Sequence, residues 1–419
     1  MWFRPPTDTR PICTEFVRAK GRLATLTSVL VLSSALPTIP RAVMKRPAAK
    51  RERPLRRFVR DEWFLAVSLG TVAFFAIGGE ALQSRLDSPV EFLIVFVWLF
   101  GTVLGSALCV ARHADKVAEL LGEPYGTLVL TISVTAIEVM SITAVMLHGE
   151  NNPELVRDTL FAVVMIILGG MVGTSLLVGG WRHHEQHYNL QGANAYLSVI
   201  IPLAMLTLSL PNFTVTTPGP TLSTAQEIFL VIVSIGLFAA FLTIQTGRHR
   251  GYFATDDKEE NHPHHPGPTH SLAWHAVLLI AYILPVVYLA EQLAEPIDYL
   301  IETLHMPDAV GGAIIALLVA TPEAIAATRA ASANKVQRSI NISLGSVLSS
   351  IGLTVPVMLA VSYFTGHQVV LGLSSANDLL LAVTLAVSVV TFASGRTNIL
   401  QGVVHLVLFA AFVMLIFQA

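Results

Sequence analysis

The chain is short of charge. Of its 419 residues only 13% are Asp, Glu, Lys or Arg, whereas 53% are hydrophobic. A soluble globular chain carries roughly 25% charged residues, so this composition excludes a soluble domain. Its apolar content excludes a disordered chain as well. Cysteine is almost absent. The two present, Cys13 and Cys109, form no Cys-x-x-Cys, which rules out a disulfide scaffold, dithiol redox chemistry and a cysteine zinc site. No Gly-x-x-x-x-Gly-Lys-[Ser/Thr], His-Glu-x-x-His or Gly-x-Ser-x-Gly occurs. The sequence therefore offers no nucleotide-phosphate loop, zinc hydrolase pair or serine nucleophile. It reads as a protein that is not an enzyme and needs no cofactor.

Acids are scarce at the start. Residues 1–60 hold 14 of the 26 Lys and Arg but only Asp8, Glu15 and Glu52 of the 28 acids. A basic arm ahead of an acidic apolar body points to anionic lipid at a cytoplasmic face, not to nucleic acid. Within the arm, Leu23–Pro37 has the charged start and short apolar core of a signal peptide. A second basic cluster, Arg41 to Arg60, follows it, and cleavage would strand that cluster outside. The preferred reading starts the working protein at Met44 and treats residues 1–43 as an upstream extension.

What the chain has in quantity is apolar runs of about 20 residues, the length that crosses a ~30 Å hydrocarbon core. Eleven are predicted: 62–82, 89–111, 125–148, 159–180, 194–211, 224–245, 272–293, 309–328, 339–363, 376–394 and 398–418. With the N-terminus inside, the inner connections hold ten Lys and Arg, and the outer ones only Arg85 and Arg157. That asymmetry predicts a cytoplasmic N-terminus. The expected class is an all-α polytopic membrane protein in a lipid bilayer. Its parts are a basic arm (1–61), a first span (62–88), a five-helix repeat (89–245), a cytoplasmic linker (246–271) and a second five-helix repeat (272–419). The linker carries His262, His264, His265 and His270 among four acids. A regulatory cation site is one reading; a solvated hydrophilic linker is the plainer one, since the spacing matches no zinc motif.

An acid at the centre of a membrane helix costs roughly 2.5–3.5 kcal/mol on insertion scales, so such residues are functional candidates. Glu80, Glu91, Glu291, Glu295 and Asp378 fall near span ends and read as interfacial. Glu138 and Glu323 are central. Glu138 shares its helix face with Thr131, Thr135 and Ser141. Glu323 follows Thr321 and Pro322, and a proline frees the carbonyl four residues back, here Leu318. Carboxylate, hydroxyl and free carbonyl are the hard oxygen ligands that Ca²⁺ takes, and a broken helix is expected at Pro322. In the ninth span Ser339, Ser343, Ser346, Ser350 and Thr354 make one hydroxyl face. Hydroxyls bonded to their own backbone would explain that face equally. The fourth span offers Gly169, Gly170 and Gly173 instead. His405 with Gln401 reads as helix packing. The third and eighth spans run in opposite directions with one central acid each, the layout of inverted repeats with acids meeting near the midplane.

At these residues the chain resembles the cation/calcium exchanger superfamily, most closely its bacterial calcium/proton antiporter branch. The segments that carry the resemblance are ARHADKVAELLGEPYGTLVLTISVTAIEV, PEAIAATRAASANKVQRSINISLGSVLSS and SGRTNILQGVVHLVLFAAF. They fall within residues 60–419. The resemblance implies one extra span plus two inverted five-helix repeats, and a cation held by Glu138 and Glu323. Many relatives have Gly-Asn before the acid; this chain has Thr-Ala-Ile-Glu and Thr-Pro-Glu, and so lacks an asparagine ligand. The expected activity is Ca²⁺/H⁺ antiport by alternating access, with Na⁺ or K⁺ in place of Ca²⁺ as the alternative. Glu138 and Glu323 bind both cation and proton, supported by Thr135, Thr321, Leu318, Ser346 and Ser350. Homo-oligomerisation is compatible with the sequence.

Overall fold

The computed structural model describes residues 62–83, 88–122, 125–148, 152–254 and 271–418. The basic arm, the Leu23–Pro37 segment and the linker histidines lie outside the described residues. The described residues make up one compact unit.

Where water is excluded, a backbone must satisfy its own hydrogen bonds, and a helix does so within one segment. The described residues form α1 Trp63–Gln83, α2 Pro89–Leu121, α3 Tyr125–His148, α4 Leu155–His183, α5 Leu190–Phe213 and α6 Thr224–Arg248. After the linker come α7 Leu272–Thr303, α8 Ala309–Ser332, α9 Val336–Thr365, α10 Ser375–Thr391 and α11 Ile399–Ile416. Nine are long and apolar enough to cross a membrane; α1 and α10 carry shorter apolar stretches. Every expected span is thus a helix. Several begin at a side chain that accepts an otherwise orphan N–H, namely Ser88, Asn189, Ser271, Ser374 and Asn398.

Two expectations need correction. α2 does not end at residue 111 but runs to Leu121, so Arg112 and Lys116 ride on a helical extension rather than in a loop. Good helix formers and a Lys116–Glu119 pair at 2.6 Å carry the helix beyond its apolar run. The broken helix at Pro322 is also absent: α8 is continuous through it. A proline inside a helix need not stop it when neighbouring helices hold both flanks.

α4 and α9 form the centre. Their most apolar stretches are 78% and 72% buried, against 17% for α6 and 22% for α11. Each contains one wide π-helical turn, Ile166–Met171 in α4 and Ser350–Thr354 in α9, a feature found mostly at functional sites. Small residues let the helices close up. A Cβ on Gly312 of α8 would stand 2.7 Å from the Thr159 nitrogen of α4, and one on Gly402 of α11 2.9 Å from the Gly173 carbonyl of α4.

The two ends of the bundle differ. At the end where α4 begins, the segment between α9 and α10 is strapped down. Val370 N–H donates to Pro153 O (2.8 Å) and Leu373 N–H to Leu208 O (3.0 Å). Asn212 Nδ2 donates to Leu373 O (2.8 Å). Arg157 donates to Gly372 O (3.3 Å) while pairing with buried Asp158 (2.8 Å) and with Glu154 (2.7 Å). At the opposite end, Gln186–His187 pairs antiparallel with Arg396–Thr397, tying the α4–α5 and α10–α11 connections.

Candidate functional site

Glu138 lies near the middle of α3 and is 1% exposed. Glu323 lies at a similar depth in α8. Both turn to the same helix. Ser350 Oγ of α9 donates to Glu138 Oε2 at 2.8 Å, and Ser346 Oγ, one turn earlier, donates to Glu323 Oε2. Four helical residues rise about 6 Å, so the two acids are tethered one turn apart along a single strut.

The hydroxyl face of α9 therefore divides. Ser343 Oγ donates to the Ser339 carbonyl (2.9 Å) and Ser349 Oγ to the Ser346 carbonyl (3.0 Å), serving their own helix. Ser346 and Ser350 reach across to the acids. On α3, Thr135 is buried beside Glu138, and its hydroxyl has no hydrogen-bond partner among the described residues. The Glu138 Oε1 atom is equally unpartnered.

Two other sequence candidates are placed differently. The Thr321 hydroxyl donates back to the Leu317 carbonyl at 2.5 Å, so it serves α8 and not the acids. Leu318 is buried, and although the helix is unbroken, Pro322 has no N–H to give its carbonyl.

A cavity of about 310 Å³ reaches Glu323 from the end of the bundle where α2 finishes and α9 begins. Asp115 and Arg338, both exposed, flank its mouth; Thr131, Tyr196, Phe241, Gln245 and Asn341 line its walls; Glu323 and Ser346 lie at its depth. Glu138 is not among the lining residues. The acids are thus unequal: one faces an open cavity and the other is enclosed.

The sequence reading missed a second buried polar cluster. Glu62, 8% exposed, accepts from Arg112 (2.6 Å) and Tyr282 (3.0 Å) and meets His113 Nε2 at 3.3 Å. His113 Nδ1 meets His275 Nδ1 at 3.0 Å. These residues come from the start of α1, from α2 and from α7, so no single-helix pattern could have shown the pairing. The Thr391 hydroxyl meets His405 Nε2 at 3.0 Å, and Gln401 Nε2 donates to Thr391 O at 3.2 Å. Both contacts join α10 to α11, the packing role read from the sequence.

A bundle of membrane-length helices with two central carboxylates, Glu138 buried and Glu323 half-buried, is the frame of a polytopic ion transporter. The sequence profile of the family described as "Sodium/calcium exchanger protein" matches residues 91–247 and 274–418, and the chain belongs to that family of cation exchangers. It is 39% identical to the sodium-potassium/proton antiporter ChaA of Escherichia coli (strain K12) over 333 residues, 78% of this chain and 90% of that protein. It is 23% identical to the Ca²⁺/H⁺ antiporter ChaA of Bacillus subtilis (strain 168) over 316 residues, 74% of this chain and 88% of that protein. The solved structure of native YfkE matches with a TM-score of 0.66 at 20% identity, over 85% of this chain and all of that one. That last likeness bears on the fold, which is the exchanger fold.

Proposed function

We propose that this chain is a proton-coupled antiporter that exports Ca²⁺ at Glu138 and Glu323. The observation that carries the reading is the tether: Ser346 and Ser350 of one helix hold two central carboxylates a turn apart. A divalent cation needs several hard oxygens and more than one negative charge, and two carboxylates with two hydroxyls supply a core of both. Protons compete for the same carboxylate oxygens. Either occupant removes net charge from the low-dielectric interior, which lowers the cost of moving the site between its two faces. The cavity at Glu323 is then the loading path from one side, and the strapped α9–α10 segment closes the other. By the distribution of Lys and Arg, the cavity side is cytoplasmic. A reporter fused after Ala419 should then be active only on the periplasmic side of a bacterial inner membrane.

Exchange of Na⁺ or K⁺ for protons on the same two acids is the second reading. It is favoured by the printed function of the Escherichia coli relative and by the absence of Gly-Asn before the acids. Purified protein in proteoliposomes under an imposed pH gradient tests both, with Ca²⁺, Na⁺ and K⁺ offered separately. Proton-driven Ca²⁺ uptake supports the first reading. Uptake of the monovalent ions alone supports the second, and gradient-independent flux contradicts both.

A further inference from the structure

The cluster of Glu62, Arg112, His113 and His275 holds no part of the central pair of acids, yet it sits at the cavity end of the bundle. His113 is 2% exposed. Its Nδ1 lies 3.0 Å from Nδ1 of His275 on α7. Its Nε2 lies 3.3 Å from Glu62 Oε2, at the start of α1, and 3.2 Å from Arg112 Nη2. Tyr282 of α7 donates to Glu62 at 3.0 Å and also bonds Cys109 of α2. Among the described residues, the charges that act on His113 are those of Glu62, Arg112 and His275.

A hydrogen bond between two imidazole nitrogens needs one N–H and one lone pair. The facing Nδ1 atoms therefore carry one proton between them, never two. Two neutral histidines meet that condition. So does a pair with one added proton: an imidazolium at His113 donates to Glu62 through Nε2 and to His275 through Nδ1. A second proton sets two N–H groups and two positive charges face to face, and the contact must open. Histidine is the side chain whose ordinary titration falls between about pH 5 and 8.

α2 passes that opening on to the cavity. At 3.6 residues per turn, Cys109, Arg112 and His113 face away from Ala107, Ala111 and Asp115. Ala111 and Asp115 line the cavity that reaches Glu323, and Ala107 and Ala111 line a smaller one beside the same acid. α2 thus stands between α7 and the loading path, and repulsion from α7 drives it towards that path. Resting on the antiport reading above, we propose that His113 and His275 form a proton sensor on the cavity side: the closed pair permits exchange, and a second proton narrows the way to Glu323. An exchanger that brings protons in acidifies the side it loads from, and the pair slows it there.

The test has two arms, both on the full chain. The first is thermal unfolding in detergent between about pH 8 and pH 5. The unfolded chain takes two protons at these histidines and the closed pair takes one, so stability falls as pH drops through the histidine range near 6.5. His275→Asn keeps a donor and an acceptor near the Nδ1 position but does not titrate, and the one remaining histidine takes one proton folded or unfolded. Wild type should therefore lose roughly 4 °C more than His275→Asn over this range. His113→Asn, which removes the other half of the pair, should behave like His275→Asn. The second arm is exchange of radiolabelled Ca²⁺ or Na⁺, or of Rb⁺ in place of K⁺, in proteoliposomes held at one pH on both faces. Acid should inhibit His275→Asn at a midpoint about one pH unit below that of wild type, a tenfold higher proton concentration. His187→Gln, which alters an exposed histidine at the same end of the bundle, should match wild type. Equal acid sensitivity of wild type and His275→Asn in either arm overturns the inference. Failure of both asparagine variants to fold at about pH 8 also overturns it, because the pair is then a structural contact and no sensor. A wild type that moves no cation at any pH removes the antiport reading instead, and is told apart because the unfolding arm needs no transport.

Discussion

Ser346 and Ser350 stand one turn apart on α9, and each donates a hydrogen bond to a different central acid, half-buried Glu323 and buried Glu138 respectively. The consequence is mechanical as well as chemical. A shift of α9 would disturb both hydrogen bonds, and a π-helical turn begins at one of the two serines, Ser350.

Ser350→Ala and Ser346→Ala should therefore weaken cation binding without removing the proton chemistry. A hydrogen bond to a charged group is worth about 1.5–3 kcal/mol, so apparent affinity should fall by roughly tenfold to a hundredfold. Concentration-dependent flux in proteoliposomes measures this. A raised KM with a largely preserved maximal rate is the expected outcome, and loss of the maximal rate alone would argue against a ligand-positioning role.

The strapped end makes a prediction about stability. Arg157 bridges Glu154 and buried Asp158 while donating to Gly372. Arg157→Met leaves Asp158 as a buried charge without its partner, which costs about 3–5 kcal/mol in comparable pairs. The unfolding temperature in detergent should drop. The Arg157→Met, Asp158→Asn double variant should recover part of the loss, because it removes the stranded charge.

Gly312→Ala tests how closely α8 and α4 must approach. The added Cβ meets the Thr159 backbone nitrogen at 2.7 Å and the Asp158 carbonyl carbon at 2.8 Å. Backbone cannot swing aside as a side chain does, so the helices must separate. Lower thermal stability and slowed exchange should appear together. Gly236→Ala, whose Cβ meets nothing within 4 Å, is the matched control and should be silent.

Hydropathy and charge asymmetry made the eleven helices legible, because crossing a membrane imposes a length and an apolar face that a sequence cannot hide. The two central acids were legible for the same reason: their position is costly. The extension of α2 to Leu121 was not, since a helix that leaves the apolar layer keeps its hydrogen bonds but loses its hydropathy signal. Thr321 was singled out for its nearness in sequence to Glu323, yet its rotamer sends the hydroxyl to Leu317. Thr354 reads in the sequence as the end of a hydroxyl face, and in the structure it closes the wide turn Ser350–Thr354. The Glu62–His113–His275 cluster joins three helices, and long-range pairing of that kind leaves no periodicity to read.

The central claim is that Glu138 and Glu323 carry cation and proton alternately. The most direct measurement is pH-gradient-driven Ca²⁺ uptake into proteoliposomes by wild type, Glu138→Gln and Glu323→Gln. Glu91→Gln, in the first turn of α2, and Glu295→Gln, in the stretch of α7 beyond the expected span 272–293, serve as controls. Glutamine keeps the size but removes the charge the cation needs and the carboxyl the proton needs. The expected result is uptake by wild type and both controls, and none above empty liposomes for Glu138→Gln or Glu323→Gln in folded, membrane-inserted protein. Near wild-type uptake by either central variant would contradict the account.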